Sequence, residues 1–161
     1  MPADIRIRNP TPEDQPRVIG VMTAWWDGRD LSHMLPRLFF VHFCDTSFVM
    51  ERESELVAFL VGFFSQSRAD EGYIHFVGVH PDFRQQGLGR LLYERFFRLC
   101  AENGRRVVRS CTSPVNRGSI RFHRKMGFAI EAGDAMVDGI PVTLDYNRPG
   151  DPKVLFRKTL S

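Results

Sequence analysis

The 161-residue sequence has few cysteines and no long apolar run. Cys44, Cys100 and Cys111 are odd in number and lack the paired spacing of zinc or dithiol sites, so we expect reduced, mostly structural thiols and no bound metal. No stretch is long and apolar enough to span a bilayer, and the first residues lack the apolar segment of a signal peptide. These absences predict a cytoplasmic protein with no membrane partner.

An excess of charge of one sign is also lacking. The 22 Lys and Arg residues are nearly balanced by 19 Asp and Glu residues, which leaves a formal net charge of +3. That charge permits the binding of a phosphorylated cofactor but is modest beside the concentrated basic surfaces of nucleic-acid-binding proteins. A nucleic-acid-binding protein would also show steep salt-dependent affinity, and no motif of that class is recognisable. We therefore expect no nucleic-acid partner.

Apolar residues, by contrast, are plentiful and make up 43% of the chain. This fraction is sufficient for a sizeable core in a chain of one domain's length. The sequence shows no internal repeat and no low-complexity tract. We therefore predict a single domain over residues 1–161.

Apolar periodicity and turn residues divide the chain into strands and helices. The predicted strands cover residues 5–8, 46–51, 56–65, 73–79, 107–112, 128–131 and 154–159. The predicted helices cover residues 12–26, with Thr11 as the cap and Pro16 leaving the start open by a few residues, and residues 31–43, 88–103 and 116–127. Pro36 is expected to kink the second helix, and residues 133–152 are expected to form a long, turn-rich connection.

Residues 73–90 form the most informative stretch, because they predict a buried strand, a sharp stop, a glycine turn and the start of a helix. The strand is rich in aromatic and β-branched residues, and Pro81 has no N–H to donate to a sheet, so the strand must end near His80. From Leu88 onward, apolar residues recur at helical spacing. An amphipathic helix therefore begins directly after the glycines.

The beginning of that helix is predicted to bind an anion. Its first N–H groups lack intrahelical partners and carry the positive end of the helix dipole. Gly87 and Gly89 would let a phosphate approach the backbone, and Arg84 and Arg90 would add positive charge. A simple strand-to-helix turn is the alternative, because Gly-x-Gly alone is weak. A Rossmann motif would need a glycine in place of Leu92, and a Walker motif is absent.

Two runs of the sequence resemble the motifs of the GNAT acetyltransferase superfamily. The first is similar to the family's acetyl-CoA signature and reads Val79-x-Pro81-x-x-Arg84-x-x-Gly87-x-Gly89. The second is similar to another family motif and reads Asn116-x-x-Ser119-x-x-Phe122-His123-x-Lys125-x-Gly127-Phe128. The resemblance covers residues 57–128 well, the N-terminal third in outline, and the tail after residue 133 poorly.

This resemblance implies an α/β (α+β) fold with a mixed, mostly antiparallel central sheet flanked by helices. It also implies an acetyl-CoA-dependent N-acetyltransferase that moves the acetyl group directly to a primary amine of a small molecule or peptide in a ternary complex. A homodimer is compatible with the family, in which dimers are common. The alternative is a non-catalytic acyl-CoA-binding regulatory module.

The resemblance further implies which residues bind acetyl-CoA. In the family, the strand before the glycine turn splays from its neighbour and its amides hold the acetyl and pantetheine groups. Gly78 inside that strand is typical of a bulge or a close backbone approach. The implied cofactor-binding residues are Val77, Gly78, Val79, Arg84, Gln85, Gln86, Gly87, Leu88, Gly89, Arg90, Asn116 and His123, and Ser119 and Tyr93 are further candidates.

Two histidines are candidates for proton transfer. Strand alternation places His75 on the same face as Tyr73, Val77 and Val79, where its near-neutral pKa suits it to accept an amine proton, and a hydrogen-bonded core histidine is the alternative. His123 occupies the position of the tyrosine that, in many family members, protonates the coenzyme A sulfur. A protonated imidazole would donate in its place, whereas a buried neutral one would only hydrogen-bond the cofactor.

The acceptor amine is predicted to contact residues near the end of the first helix, on the central strand and in the long connection. By resemblance, the first of these regions lies over the acceptor cleft, although core packing explains its tryptophans equally well. The long connection is included because ordered loops often carry specificity. The predicted acceptor contacts are Trp25, Trp26, Arg29, Tyr73, His75 and Asp145, with Tyr146 as a further candidate.

Overall fold

The computed structural model describes residues 3–161, which contain nine strands and four α-helices. The strands are β1 (Ile5–Arg8), β2 (Phe48–Arg52), β3 (Glu55–Phe64), β4 (Glu71–Val79), β5 (Val107–Thr112), β6 (Ala129–Ile130), β7 (Ala135–Val137), β8 (Ile140–Val142) and β9 (Val154–Thr159). The α-helices are α1 (Asp14–Trp25), α2 (Phe39–His42), α3 (Leu88–Glu102) and α4 (Arg117–Lys125). No helix of this part of the chain combines the length and the apolar character needed to cross a bilayer.

Seven strands form the main sheet in the order β1-β2-β3-β4-β5-β9-β6. The β4–β5 pair is parallel, and the other neighbouring pairs are antiparallel. Helix α3 connects the two parallel strands, as a parallel crossover requires. The prediction of a mixed, mostly antiparallel sheet flanked by helices is therefore confirmed.

Each face of the sheet carries its own cluster of buried apolar residues. On one face, α3 packs Leu88, Leu92 and Phe96, spaced four residues apart, against strand residues such as Leu60. On the other face, α1 and the segment that follows it pack against β3 residues such as Phe59. The sheet is thus covered on both sides, which explains why β3 is an almost continuous apolar run.

The strands β4 and β5 separate after a short parallel ladder. Pairing covers only Glu71–Tyr73 of β4 and Val107–Arg109 of β5, and β4 then continues to Val79 without β5. At the point of separation, the Ser110 hydroxyl donates a hydrogen bond to the Ile74 carbonyl over 3.0 Å. The structure therefore has the splayed strand that the resemblance implied.

A β-bulge at His75 changes which side chains of β4 share a face. Val61 pairs with Phe76 while the next residue of β3, Gly62, pairs with Ile74, so His75 is the extra residue. Phe76 consequently contacts the α1 side of the sheet, and Ile74 lies in the core on the α3 side. Gly78 was expected to mark a bulge or a close approach, and a Cβ atom there would lie 2.6 Å from the Phe59 ring, so the second alternative holds.

The predicted strict alternation along β4 is therefore wrong. Tyr73 stacks on Phe63 and His75 stacks on Phe39, both on the α1 side of the sheet. Val77 and Val79, in contrast, pack against the core on the α3 side. Because the bulge inserts one residue, the two halves of the strand present their odd-numbered side chains to opposite faces.

The predicted second helix at residues 31–43 is also wrong. The segment forms a 3₁₀ turn at Ser32–Met34 and a single α-helical turn at Phe39–His42. Pro36 restricts Leu35, which adopts φ −127° and ψ 65° instead of helical angles. The apolar periodicity instead reflects individual side chains, such as the fully buried Leu35 and Phe40, that point into the core.

The long connection after residue 133 contains a hairpin that sequence reasoning missed. Strands β7 and β8 pair around Asp138 and Gly139, which have φ values of 50° and 80°. An Asp-Gly dipeptide with two positive φ values is a strong signal for a tight hairpin turn. The prediction failed because each strand has only three residues, β8 contains Pro141, and the Gly and Asp residues around the strands favour loops.

Asp14 joins the first strand to the first helix through a buried ion-pair network. Its carboxylate accepts hydrogen bonds from Arg8 at 2.8 and 2.9 Å, from Arg17 at 2.9 Å and from the Thr11 amide at 2.8 Å. Burial alone would raise the pKa of Asp14, but these hydrogen bonds outweigh it and lower the pKa to about 2. The carboxylate therefore stabilises the fold.

We expect Asp14→Asn to lower the free energy of unfolding by about 2 kcal/mol at pH 7, because Arg8 and Arg17 lose the more buried of the two carboxylates that they share, Glu51 being the other. Since the folded pKa lies below the unfolded value of about 3.9, the wild-type advantage should be lost as the pH falls from about 4 to about 2. Denaturant titration at a series of pH values over this range measures the difference in the free energy of unfolding between wild type and variant. Asp70→Asn, at an exposed position, is the control, and equal losses in both variants would contradict the network.

Candidate active site

A cavity of about 410 Å³ lies where β4 and β5 diverge. Its walls come from β4, from the end of β5, from α3 and the beginning of α4, and from two connections, one after α1 and one before β9. Seven predicted site residues line this cavity, namely Trp26, Arg29, Tyr73, His75, Val77, Asn116 and His123.

The edge of β4 that faces the gap carries unpaired backbone groups. The His80 amide donates to the Val57 carbonyl over 2.8 Å, and Ala58 is opposite Val79. Hydrogen bonding alternates along an antiparallel pair, so the amides of Val77 and Val79 point away from β3, whereas Gly78 faces β3. The Val77 and Val79 amides are therefore available to a ligand that lies in the gap.

A row of amides follows at the beginning of α3. Within residues 3–161, no protein atom accepts a hydrogen bond from the amides of residues 85–90, and the helical ladder begins with the Leu91 amide donating to Gly87. Gln85 and Gly87 have positive φ values of 63° and 81°, which turn the chain at the helix start. Leu88 has a buried side chain and offers only its backbone. Free amides at the start of a helix are suited to binding an anion.

The two arginines expected to supply mobile charge to this turn are already bonded. Arg84 donates to the Trp25 carbonyl at the end of α1 over 2.5 Å and to the Val79 carbonyl over 3.3 Å. Arg90 forms an exposed ion pair with Glu94 over 2.9 Å. Arg84 therefore holds the turn against α1, whereas the amides of residues 85–90 have no protein acceptor within residues 3–161.

Asn116 and His123 place helix α4 beside the cavity. The Asn116 side chain accepts a hydrogen bond from the Ser119 amide over 3.2 Å, which confirms the predicted helix cap. His123 is 5% exposed and stacks on Phe156 with ring centroids 4.1 Å apart. The imidazole is therefore fixed in position by its neighbours.

Both ring nitrogens of His123 have partners. Nδ1 lies 2.8 Å from the Ser119 carbonyl and Nε2 lies 2.8 Å from the Tyr93 hydroxyl. A carbonyl only accepts, so Nδ1 carries the hydrogen and Tyr93 donates to Nε2. Burial lowers the pKa of His123 to about 4, and it raises the pKa of Tyr93. This geometry does not provide the protonated imidazole that the sequence suggested for position 123.

His75 lies on the other side of the gap and connects β4 to the segment after α1. Its Nε2 donates to the Met34 carbonyl over 2.6 Å, and its ring stacks on Phe39 with centroids 4.4 Å apart. Burial lowers the pKa of His75 below its ordinary value. With Nε2 donating, the neutral ring keeps an unprotonated Nδ1 that can accept a proton.

The predicted acceptor contacts divide into two groups. Trp26, Arg29 and Tyr73 line the cavity. Trp25 is 4% exposed and stacks on Phe59, as the core-packing alternative required. Asp145 does not line the cavity, because its carboxylate accepts a hydrogen bond from the Gly150 amide within its own loop over 2.7 Å.

Several lining residues were missed by sequence reasoning. The loop before β9 contributes Asn147, Arg148, Asp151 and Lys153, and its length and turn residues were the only signal that pointed to it. The end of β5 contributes Cys111, whose sulfur accepts a hydrogen bond from the Tyr73 hydroxyl over 3.4 Å. Burial raises the pKa of the Cys111 thiol, so this cysteine is not an activated nucleophile.

Comparisons with known proteins agree with this architecture. A 55-residue segment is 36% identical to an uncharacterised N-acetyltransferase of Methanocaldococcus jannaschii and covers 34% of this chain and 24% of that protein. A 73-residue segment is 32% identical to the L-amino acid N-acyltransferase MnaT of Escherichia coli and covers 43% of this chain and 42% of that protein. The matched segments thus span less than half of either relative.

The fold extends over the whole length of a solved structure. Ard1 from Thermoplasma volcanium superposes with a TM-score of 0.77 and 22% identity, over 99% of each chain. At this identity the likeness shows the fold alone.

The sequence also matches the model of the Acetyltransferase (GNAT) family over residues 12–128, which is most of the chain and includes both motifs and the splayed strand. The chain belongs to the GNAT acetyltransferase family.

Proposed function

We propose that this protein transfers an acetyl group from acetyl-CoA directly to a primary amine in a ternary complex. The observation that carries the proposal is the presence of two sets of free backbone donors, the amides of residues 85–90 and the Val77 and Val79 amides on the strand edge beyond the β4–β5 ladder. An anion site and an unpaired strand edge leading into a cavity suit an elongated ligand with a phosphorylated end. Family membership identifies that ligand class as an acyl donor.

The residues present fit acetyl-CoA. The amides of residues 85–90 would hold its pyrophosphate, while the Val77 and Val79 amides would bond the arm that carries the thioester. An amide that points into the gap can also stabilise the charge that develops on a thioester carbonyl oxygen. Bound acetyl-CoA supplies the activated acetyl group, and the chain supplies its orientation.

The bulge at His75 brings the acceptor to the other face of the sheet. Tyr73 and His75 face the α1 side together with Trp26, whereas Val77 faces the α3 side. A donor held along the Val77 edge and an acceptor held against Tyr73 would meet in the gap between the strands. His75 Nδ1 then accepts the amine proton, directly or through water, because Nε2 is committed to Met34.

His123 has a different role in this proposal from the acid that its position suggested. Its buried, neutral ring accepts a hydrogen bond from the Tyr93 hydroxyl, and a hydrogen bond to the cofactor stays a prediction. The proton taken up by the departing thiolate then comes from water in the cavity. The same observation keeps the regulatory module as a second candidate, because a dedicated protein acid is not in place.

Acetylation of a primary amine separates the two candidates. Release of free thiol from acetyl-CoA, in proportion to acetylated amine, supports the transferase. Tight acetyl-CoA binding without transfer to any amine or peptide supports the module. The relative MnaT is named for L-amino acids, which makes amino acids the first acceptors to assay.

We expect Gly87→Val to weaken acetyl-CoA binding by about 10-fold or more, because a β-branched residue is strained at a φ of 81° and displaces the amide row. Isothermal titration calorimetry measures the affinity. Gly104→Val is matched in strain, since its φ is 73° and an added Cβ meets no neighbour, but it lies beyond the other end of α3. Equal affinities in both variants would remove the amide row from the donor site.

We expect His75→Gln to lower kcat/KM for the amine by about 100-fold, because glutamine still donates to the Met34 carbonyl but has no basic nitrogen. The reaction needs the neutral imidazole, and burial places its pKa below about 6.5, so wild-type activity should fall as the pH drops through that pKa. This acidic limb of the pH–activity profile should be absent from the His75→Gln variant. The exposed His42→Gln is the control, and retention of the limb in His75→Gln would exclude the base role.

His123→Phe tests the remaining histidine through its pH profile. With a pKa of about 4, imidazolium is a negligible fraction at neutral pH, so kcat should have the same pH dependence in wild type and variant between about pH 6 and 9. Stability should fall by about 1–3 kcal/mol, because the buried Tyr93 hydroxyl loses its acceptor. Adding Tyr93→Phe should recover part of that loss. A descending wild-type limb that His123→Phe abolishes would restore His123 as the acid.

A further inference from the structure

The acceptor side of the cavity is lined by more cations than carboxylates. Three basic side chains face it, from Arg29 after α1 and from Arg148 and Lys153 in the loop before β9. Within the described part of the chain, Asp151 is the lone carboxylate among the lining residues. A ligand that enters from this side therefore meets a net positive wall.

The Asp151 carboxylate is already paired with residues of its own loop. Its carboxylate lies 3.3 Å from the Lys153 ammonium and 3.9 Å from the Arg148 guanidinium, and it accepts a hydrogen bond from Asn147 over 3.1 Å. These contacts leave no unpaired carboxylate on the wall to receive a second ammonium group. A polyamine, which would bring two or more positive charges into the cavity, is disfavoured by this arrangement.

The basic groups retain capacity for an anion. Arg29 is exposed, and no carboxylate of residues 3–161 lies within ion-pair distance of it. The Lys153 side chain is 17% exposed, and the residue is fixed by backbone hydrogen bonds in both directions with Thr143. An ammonium has three donors, so Lys153 can bind a second carboxylate while it contacts Asp151.

The strand contacts of Lys153 set it apart from the amide row that suits a pyrophosphate, and Arg148 shares the Asp151 carboxylate with Lys153. Lys153 directly precedes Val154, which pairs with Thr112 at the end of β5. The neighbouring Cys111 contacts Tyr73, near the beginning of β4. From Tyr73 to Val79 the strand extends by about 20 Å, and the amide row begins beyond its end. The loop cations are therefore positioned for the acceptor rather than for the donor's phosphates.

Aromatic rings form the rest of this wall. Trp26, Tyr73 and Tyr146 line the cavity, and Trp26 is held in place by edge contacts with Phe59 and Phe76 at 6.0 and 5.5 Å. Such rings bury apolar groups well. The wall thus offers one region for an anion and another for an apolar body.

We infer that the acceptor is an amine that also carries a carboxylate, as does an α-amino acid with a large apolar side chain. The carboxylate binds between Arg29 and Lys153, the apolar side chain lies on the aromatic rings, and the amine points to His75. This assignment rests on the proposed acetyl transfer and adds the chemical class of its acceptor.

Matched acceptors test the carboxylate alone. L-Phenylalanine, L-phenylalaninamide and 2-phenylethylamine share one aromatic body, and L-leucine, L-leucinamide and 3-methylbutylamine share an aliphatic one. Thiol release is measured over a pH series, so that kcat/KM refers to the neutral amine in each case. We expect the amino acid of at least one series to exceed both of its partners by about 10-fold or more.

Variants link that preference to the cationic wall. Lys153→Gln and Arg29→Gln should each reduce the ratio of kcat/KM for the amino acid to that for its decarboxylated amine by about 10-fold. Arg98→Gln, at an exposed position on α3, should preserve the ratio. A ratio that is unchanged in both cavity variants would overturn the assignment.

The outcomes distinguish a failure of the carboxylate assignment from a failure of the proposed acetyl transfer on which it rests. Decarboxylated amines or amides that react as well as the amino acids, or a preference for O-phosphoethanolamine over every carboxylate, would overturn the carboxylate while leaving acetyl transfer established. Absence of thiol release with every amine, despite acetyl-CoA binding, would instead overturn the transferase proposal itself.

Discussion

The limited pairing between β4 and β5 is the constraint on which the site depends. Three residue pairs and the Ser110–Ile74 hydrogen bond hold the strands together at one end. Beyond them, within residues 3–161, no backbone pairs join the two strands, although the Tyr73 hydroxyl bonds to the Cys111 sulfur. An unpaired strand edge inside a sheet leaves backbone donors without partners, which costs free energy unless a ligand or water satisfies them. The gap thus lowers the local stability of the sheet, and it also leaves an opening that connects its two faces.

The rest of the molecule compensates for this weakness. β4 keeps a full ladder with β3, α3 covers the gap from one side, and β5 is tied by six residue pairs to β9. Arg84 links the turn before α3 to the end of α1, so elements from both faces meet at the end of β4. Rigid support around an unsatisfied edge is what preorganised binding requires.

Much of the donor side could be predicted from the sequence, because local signals determine it. Pro81 stops the strand, Gly87 adopts the positive φ that the turn requires, and Asn116 caps α4, all through interactions within a few residues. The protonation state of His123 could not be predicted in this way. It depends on Phe156 and Tyr93, which only the tertiary fold brings to the ring.

The acceptor side was less predictable for the same reason. Lys153 and Arg148 lie outside the segment that matches the family, in a loop whose composition indicates turns but not direction. The segment after α1 misled the prediction because its apolar spacing resembled a helix, whereas Pro36 and the individual burial of Leu35 determined its path. Residues that meet across a cavity from distant parts of the chain carry no local signature.

The extra residue in β4 affects how this strand is aligned with those of its relatives. A sequence alignment without a gap at position 75 would imply that Tyr73 and Val77 point to the same face of the sheet, although they point to opposite faces. Every inference on one side of that position would then be transferred to the wrong face of the sheet. A homologue without the extra residue is best aligned in two segments, one on each side of position 75. Each segment is then placed by the β3 residues with which it pairs.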